Sequence, residues 1–372
     1  MAAPLHAQPR AGTHTQPAAG LAPATAVAGG DLVCLDNDGR TLAARLSTGP
    51  LGSLFVSPSW IEALTATYDF NVKASFLRPL EESTGAAILF SEIDDIRGRR
   101  VVSLPFSDYC DPFVENVTAW NRLIDPILAL QTPVRFRLLR NSVPLSDSRF
   151  THSANALWHM ADLRRSEDEL WSGLKDSAPQ NVRRAQRSRV VIREGASLED
   201  LQTFYRMHCS VRRSKYRLFA QPFAFFENLY SSFADQLVVL LAEVDGTAIA
   251  GILFLIHGDT LYYKFNASID LTLRPNDLLI WSGMRLGRER GLSALDFGLS
   301  DTAQPGLVRF KRKFATSERP IIELRWSPPD YSDPRGHQAG EVLHRMTEIL
   351  TAPEVPEAVT RGAGDELYRF FC

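Results

Sequence analysis

Cysteine is scarce in this chain, and its four cysteines, Cys34, Cys110, Cys209 and Cys372, lie far apart. They form no C-x-x-C pair, and no histidine stands at zinc-ligand spacing, which argues against a disulfide framework and a structural zinc. His208 and Cys209 are neighbours, but adjacent helical residues point about 100° apart, so they cannot act as a nucleophile and base couple. Beyond residue 30 no H-x-x-x-H or H-E-x-x-H pattern occurs, so a catalytic metal has no support. A long apolar run is also missing: the nearest, residues 237–256, is broken by Glu243, Asp245 and Gly246, too soon for a membrane span. An excess of one charge is absent as well, since 41 Lys+Arg balance 43 Asp+Glu for a net charge of -2. Wholesale coating of nucleic acid or membrane is thereby disfavoured, and DNA is not an expected partner. Neither a Walker-type loop nor a strand-GxGxxG-helix motif is present, so phosphoryl and hydride transfer have no foothold.

What is present is the composition of a soluble globular protein: 372 residues, 45% hydrophobic and 23% charged, enough for two domains. Residues 1–30 carry Arg10 as their only formal charge and lack the apolar segment of a secretory signal, which suggests a disordered leader on a cytoplasmic protein. A helix is expected from Pro58, capped by Ser57, with Trp60, Ile61 and Leu64 on one face. Strands are expected at 71–78, 86–91 and 99–104, a loop at 104–112, a helix at 114–130, and strands at 134–140 and 156–160. A helical region is expected over 166–235. Strands follow at 236–243, 247–256 and 260–268, joined by Asp245-Gly246 and Gly258-Asp259, the first a strong hairpin signal. Next come a helix at 276–289 closed by Gly291, a strand at 294–298, an element at 307–314 and a strand at 321–326. The second series repeats the first in outline. The fold expectation is therefore α/β (α+β): two tandem units, each a mixed, mostly antiparallel sheet flanked by helices. The expected divisions are a leader at 1–30, units at 31–160 and 161–330, and a helical tail at 331–372 whose aromatic ending docks back.

The second unit combines this meander with Asn276-Asp277-Leu278-Leu279-Ile280-Trp281, Leu295-Asp296-Phe297-Gly298-Leu299-Ser300 and Gly306-Leu307-Val308-Arg309-Phe310-Lys311-Arg312-Lys313-Phe314. In that combination it resembles the GNAT superfamily of acyltransferases. More narrowly it is similar to the Fem-like peptidyltransferases and their acetyltransferase-like relatives of envelope polysaccharide synthesis. The likeness covers residues 60–372, including Leu104-Pro105-Phe106-Ser107-Asp108 and the ending Gly364-Asp365-Glu366-Leu367-Tyr368-Arg369. It implies tandem GNAT units and transfer of an acyl or aminoacyl group to an amine in peptidoglycan or polysaccharide synthesis. The implied donor is an aminoacyl-tRNA or an acyl-CoA, not a covalently bound cofactor, and the implied acceptor is a small-molecule or lipid-linked amine. It also implies a donor lying where strands 260–268 and 294–298 splay apart, with the helix start at Asn276 facing its phosphates. The Phe-Lys pair of the family nominates Phe310 to shape the donor channel and Lys311 to stabilise developing negative charge. A solvated cationic stretch beside a core phenylalanine explains the same residues equally well.

The chain departs from acyl-CoA-binding relatives in one respect. Their glycine-rich pyrophosphate loop is replaced by Arg274-Pro275-Asn276-Asp277, without either glycine and with an aspartate that would repel phosphate. That moves weight to a bulkier donor, although Asn276 and Asp277 could simply cap and charge a helix start. Asp296, on a buried strand, could take a proton from the acceptor amine or tie down the following loop with Ser300. Tyr263 could act as a general acid or pack at a strand edge, and Asp108 could bind substrate between the units or serve turn chemistry. Arg183, Arg184 and Arg187, with Arg189 and Arg193 nearby, form the densest charge and could bind a polyanion such as tRNA, or pair with Glu167, Asp168 or Glu169. Two other functions compete: an acyl-CoA-dependent N-acetyltransferase of an amino sugar, and a non-catalytic module that binds a nucleotide-linked envelope precursor.

Overall fold

The computed structural model describes residues 31–34, 37–77, 86–195 and 197–372, so residues 1–30 and their expected leader lie outside the described residues. The strands are β1 (Asp31–Cys34), β2 (Asn71–Phe76), β3 (Ala87–Asp95), β4 (Gly98–Val102), β5 (Val134–Leu138), β6 (Thr151–Asp162), β7 (Val191–Gly195), β8 (Leu237–Val244), β9 (Thr247–His257), β10 (Thr260–Ser268), β11 (Ala294–Asp301) and β12 (Ser317–Trp326). The helices are α1 (Asn37–Ser47), α2 (Pro58–Tyr68), α3 (Val117–Leu128), α4 (Glu167–Ser172), α5 (Ala178–Arg187), α6 (Leu198–Ser214), α7 (Phe223–Phe233), α8 (Pro275–Glu289), α9 (Pro305–Arg312), α10 (Pro334–Leu350) and α11 (Glu357–Leu367). Local chemistry accounts for most boundaries. The Ser57 hydroxyl accepts from the Trp60 N–H at the start of α2, Asn116 does the same for Ala119 at α3, and Gly291 adopts φ +73 just past α8.

The twelve strands of the described residues join one sheet in the order β1-β2-β3-β4-β5-β12-β6-β11-β10-β9-β8-β7. It is antiparallel except at two places, β4 with β5 and β10 with β11. Each parallel pair is bridged by a crossover helix, α3 in the first half and α8 in the second, so the halves repeat one topology. Their last strands are exchanged: β6 pairs with β11, β12 pairs with β5, and β6 and β12 pair with each other. This exchange makes two sheets into one continuous surface. A buried cluster then seals the halves, with Phe55, Trp60 and Tyr109 of the first packed among Phe204, Phe225 and Tyr262 of the second. Each such ring removed from water contributes roughly 2–3 kcal/mol.

The expected helical region 166–235 is corrected by β7. Val191–Gly195 is an edge strand on β8, and Arg193 leaves the arginine helix to pair with Glu243 and Asp200 at 2.9 and 2.8 Å. A short, polar edge strand has little apolar alternation of its own, and its structure comes from the partner strand. The segment that holds α10 and α11 meets both halves through the residues between and after these helices: Arg213 donates to the carbonyls of Ala352 and Pro353, and the Tyr368 ring lies 5.1 Å from Phe106. The ending is only partly covered, since Phe371 is 40% exposed.

Candidate active site

The parallel register of β10 and β11 runs only from Thr260–Ala294 to Tyr262–Asp296, after which the strands part. Both carry irregularities there. On β10 the pairing with β9 shifts between Tyr263 and Phe265, which makes Lys264 the extra residue of a bulge. On β11 the pairing with β6 shifts between Asp296 and Leu299, where Gly298 adopts φ +66. Bulges of this kind leave backbone groups outside the ladder. A cavity of about 820 Å³ opens at this splay.

Its walls come from six places: Ser177 and Asn181 at the start of α5; His208, Arg212, Lys215, Tyr216 and Gln221 around the end of α6; Tyr263 to Asn266 on β10; Arg274, Asn276 and Asp277 at the start of α8; Phe297 and Leu299 on β11; and Phe310, Lys311 and Lys313 on and after α9. Asp108 reaches it from the first half. Six cationic side chains, Arg212, Lys215, Lys264, Arg274, Lys311 and Lys313, face two carboxylates, Asp108 and Asp277, so the cavity favours an anionic occupant.

Lys311 is 4% exposed and donates from Nζ to the Leu299 carbonyl at 2.7 Å. Burial lowers its ammonium to about 8, with Asp108 and Asp296 opposing that effect and Lys264 adding to it. The cationic stretch divides: Arg309 and Arg312 are exposed, with Arg312 bonded to Glu318, whereas Lys311 and Lys313 turn inward. Phe310 lies half-buried at the wall, 5.6 Å from Phe314 and 4.9 Å from the Lys313 ammonium.

The other nominated residues fare differently. Asn276 lines the cavity and accepts from Asn266 Nδ2 at 3.2 Å. Asp277 does not cap α8, whose N-cap is Arg274 at φ +60. It is buried, bonded to Lys313 at 2.5 Å and to Asn181, so the repulsion expected for phosphate is neutralised. Tyr263 lines the cavity, and burial pushes its hydroxyl well above the usual range. Asp296 is 2% exposed and does not line the cavity; it accepts from the Gly298 N–H at 2.6 Å and the Tyr109 hydroxyl at 2.8 Å. Burial raises its carboxyl. The loop-tying alternative thus describes its contacts, with Tyr109 and Gly298 in place of Ser300. Asp108 accepts at Oδ2 from the Leu299 N–H at 3.3 Å and from Lys264 Nζ at 3.4 Å.

Arg183, Arg184 and Arg187 sit on the exposed face of α5, outside the cavity, although the first turn of that helix lines it. The suggested pairing with Glu167, Asp168 or Glu169 is not what is found: Glu167 pairs with Arg285, the Glu169 carboxylate accepts from the N–H of Ser166, the cap of α4, and Arg183 lies 5.2 Å above the Trp171 ring. Arg189, at φ +58, lies beyond the helix end. Sequence reasoning passed over Lys264, Arg212 and Lys215. The one available signal was Lys264 itself, a lysine inside an apolar, aromatic strand.

Among the described residues no His, Cys, Asp and Glu group could hold a metal ion, and no helix is long and apolar enough to cross a membrane. Cys110 and Cys209 are buried, their thiols pushed up to about 12 and about 11 by burial. His208 is also buried, with Nε2 2.8 Å from Gln221 Oε1, and burial lowers its imidazole to about 4. Such a histidine takes up a proton more readily when unfolded, so its stability contribution is present above its ordinary 6.5 and is lost as pH falls towards 4. The melting temperature of the wild type should therefore fall more steeply between pH 6.5 and 4 than that of His208→Gln; parallel curves would contradict this.

Residues 176–312 match the family model described as "Acetyltransferase (GNAT) domain". That segment holds every cavity-lining residue except Asp108 and Lys313. Residues 176–312 are thus a GNAT domain, set in a chain with the fold of FemX. The crystal structure of FemX superposes on 80% of this chain and 97% of its own at 15% identity and a TM-score of 0.59. The C-terminal domain of a protein from Agrobacterium fabrum named as a putative lysylphosphatidylglycerol synthetase covers 81% of this chain and 96% of its own, at 14% identity and a TM-score of 0.54. L-PGS from Bacillus licheniformis covers 83% and 97%, at 14% identity and a TM-score of 0.53. No curated protein matches the sequence.

Proposed function

We propose that this GNAT acyltransferase moves an acyl or aminoacyl group from an anionic carrier in the β10/β11 splay to an amine acceptor of cell-envelope synthesis, working in the cytoplasm. The observation that carries this reading is the buried Lys311 ammonium at the wall of a cation-lined cavity where two parallel strands part. In the reaction the neutral amine attacks the donor carbonyl, a C–N bond forms, and the C–S or C–O bond to the carrier breaks as the carrier takes a proton. Negative charge builds on the carbonyl oxygen between these events. Protonated Lys311 stabilises that oxyanion, and Phe310 shapes the channel. Arg274, Asn276 and the start of α8 receive donor phosphates. Asp108 and Tyr263 face the acceptor side. Asp296 acts at one remove, through its hold on the Gly298 N–H. In this reading residues 31–160 and 161–330 are the two units, the first lending Asp108 to the site of the second, and 331–372 is a tail that packs across both.

An aminoacyl-tRNA is favoured as carrier by α5, whose first turn lines the cavity while Arg183, Arg184 and Arg187 stand exposed along the same helix. The FemX and lysylphosphatidylglycerol synthetase likenesses agree with aminoacyl chemistry in the envelope. Acyl-CoA is the second reading, favoured by the acetyltransferase family match. The binding-module reading requires side chains filling the splay and Lys311 in solvent, and the geometry is the opposite.

Separate incubations with labelled aminoacyl-tRNAs and acyl-CoAs, each with amine acceptors, decide the carrier. Transfer from tRNA should weaken steeply with salt, and Arg183→Ala/Arg184→Ala/Arg187→Ala should flatten the logarithmic salt slope by roughly one for each of these arginines that meets a phosphate. A specific acyl-CoA at a hundredfold over its Kd would instead add about 2.7 kcal/mol of stability. Transfer from neither carrier overturns the proposal.

A further inference from the structure

Lys264, the extra residue of the β10 bulge, sends its side chain towards the first half of the molecule, where it is 5% exposed. Its ammonium lies 4.4 Å from the centre of the Phe55 ring and 4.9 Å from that of Trp60, which meet edge to face. The third side of the box is Asp108, at 3.4 Å. The box and the Asp108 loop are one piece, because Trp60 Nε1 donates to the Ser107 hydroxyl at 2.9 Å. Asp108 in turn accepts from the Leu299 N–H, and the carbonyl of that residue accepts from Lys311 Nζ. Lys264, Asp108, Leu299 and Lys311 thus form a continuous polar chain from the first half to the reactive centre. Stability does not explain an ammonium here. A methionine would fill the same aromatic box without desolvating a charge, and apolar replacements of buried ion pairs are often neutral or stabilising.

We propose that Lys264 is a positioning residue of the transfer site: it holds the Asp108 carboxylate against the Gly298–Leu299 bulge and, together with Asp108, sets the charge that Lys311 experiences. This rests on the reading of protonated Lys311 as the group that stabilises the oxyanion. The charged and titratable groups around Lys311 are Lys264 from β10, Asp296 from β11, Asp108 from the 104–112 loop and His159 from β6, with the Tyr263 ring 5.9 Å away. Burial lowers the His159 imidazole, so it stays neutral through the range in which Lys311 titrates. Removing the Lys264 charge takes away a repulsion and raises the Lys311 midpoint; removing the Asp108 charge takes away an attraction and lowers it.

The test is an NMR titration of protein carrying 15Nζ-labelled lysine, with the Lys311 signal assigned by its loss in Lys311→Arg. The wild-type midpoint is expected at about 8. Lys264→Met should move it up, and Asp108→Asn down, by roughly half a pH unit or more in each direction. Lys264→Arg, which keeps the charge, should stay near wild type. In the transfer assay the alkaline limb should move with these midpoints, and Lys264→Met should lose about tenfold in kcat, with Lys264→Met/Asp108→Asn no worse than the poorer single variant. A merely structural lysine would shift no midpoint. Midpoints that coincide in wild type, Lys264→Met and Asp108→Asn overturn the proposal, and Lys264→Gln, which also removes the charge and should move the midpoint up, decides it if Lys264→Met does not fold. Midpoints that move in protein showing no transfer would uphold the coupling and instead overturn the proposed function.

Discussion

Lys311→Met should lower kcat/KM for transfer by about 100- to 1,000-fold, the loss typical when one preorganised donor to an oxyanion is removed. Methionine keeps the length and most of the volume of lysine, so α9 should still pack on β11. The change does cost stability, because the Leu299 carbonyl loses its 2.7 Å partner, which is worth roughly 1–3 kcal/mol in a buried setting. The kinetic and structural effects are separable. A structural defect would lower melting temperature and donor binding together, whereas loss of transition-state stabilisation lowers kcat with donor affinity nearly intact. The pH profile provides a second check. With the ammonium lowered to about 8 by burial, activity that requires its protonated form should fall as pH rises through that value, and Lys311→Met should lose this limb. A variant retaining near wild-type kcat at neutral pH would exclude Lys311 from the chemistry.

Gly298→Ala should be the second most damaging change, for two reasons that can be measured apart. At φ +66 an alanine pays roughly 1–3 kcal/mol in backbone strain. Its Cβ would also lie 2.3 Å from Asp108 Oδ2, so the carboxylate must leave the bulge, breaking its bonds to the Leu299 N–H and to Lys264. Transfer should fall at least about tenfold, as expected for a misplacement of about an ångström near the reacting atoms. In an Asp108→Ala background the clash disappears and only the backbone cost remains, so the stability loss there should be clearly smaller. Equal losses in both backgrounds would show that Asp108 and Gly298 do not meet as described.

Short-range chemistry was largely legible in the sequence. The Ser57 cap, the Asp245-Gly246 hairpin and the Gly291 helix end each involve residues within a few positions of one another, and all are present. Long-range pairing was not legible. Nothing local to β6 or β12 shows that these strands exchange partners between the halves, or that Tyr109 would meet Asp296 across 187 residues. The site divides along the same line. Lys311 stood out through its place in a resembling motif, whereas Lys264 acquires its role only when the β10 bulge turns it towards Phe55, Trp60 and Asp108. The arginines of α5 illustrate the converse: dense charge was visible in the sequence, but its placement outside the cavity was set by which face of the helix packs on α8.

The most direct measurement is a crystal structure of the protein with a non-hydrolysable donor analogue, prepared as an aminoacyl-oligoribonucleotide ending in CCA and as an acyl-CoA. One form should occupy the β10/β11 splay, its phosphates towards Arg274 and the start of α8 and its carbonyl oxygen within hydrogen-bond reach of Lys311 Nζ. A donor bound away from that splay, or a carbonyl facing away from Lys311, would contradict the assignment of this site as the centre of acyl transfer.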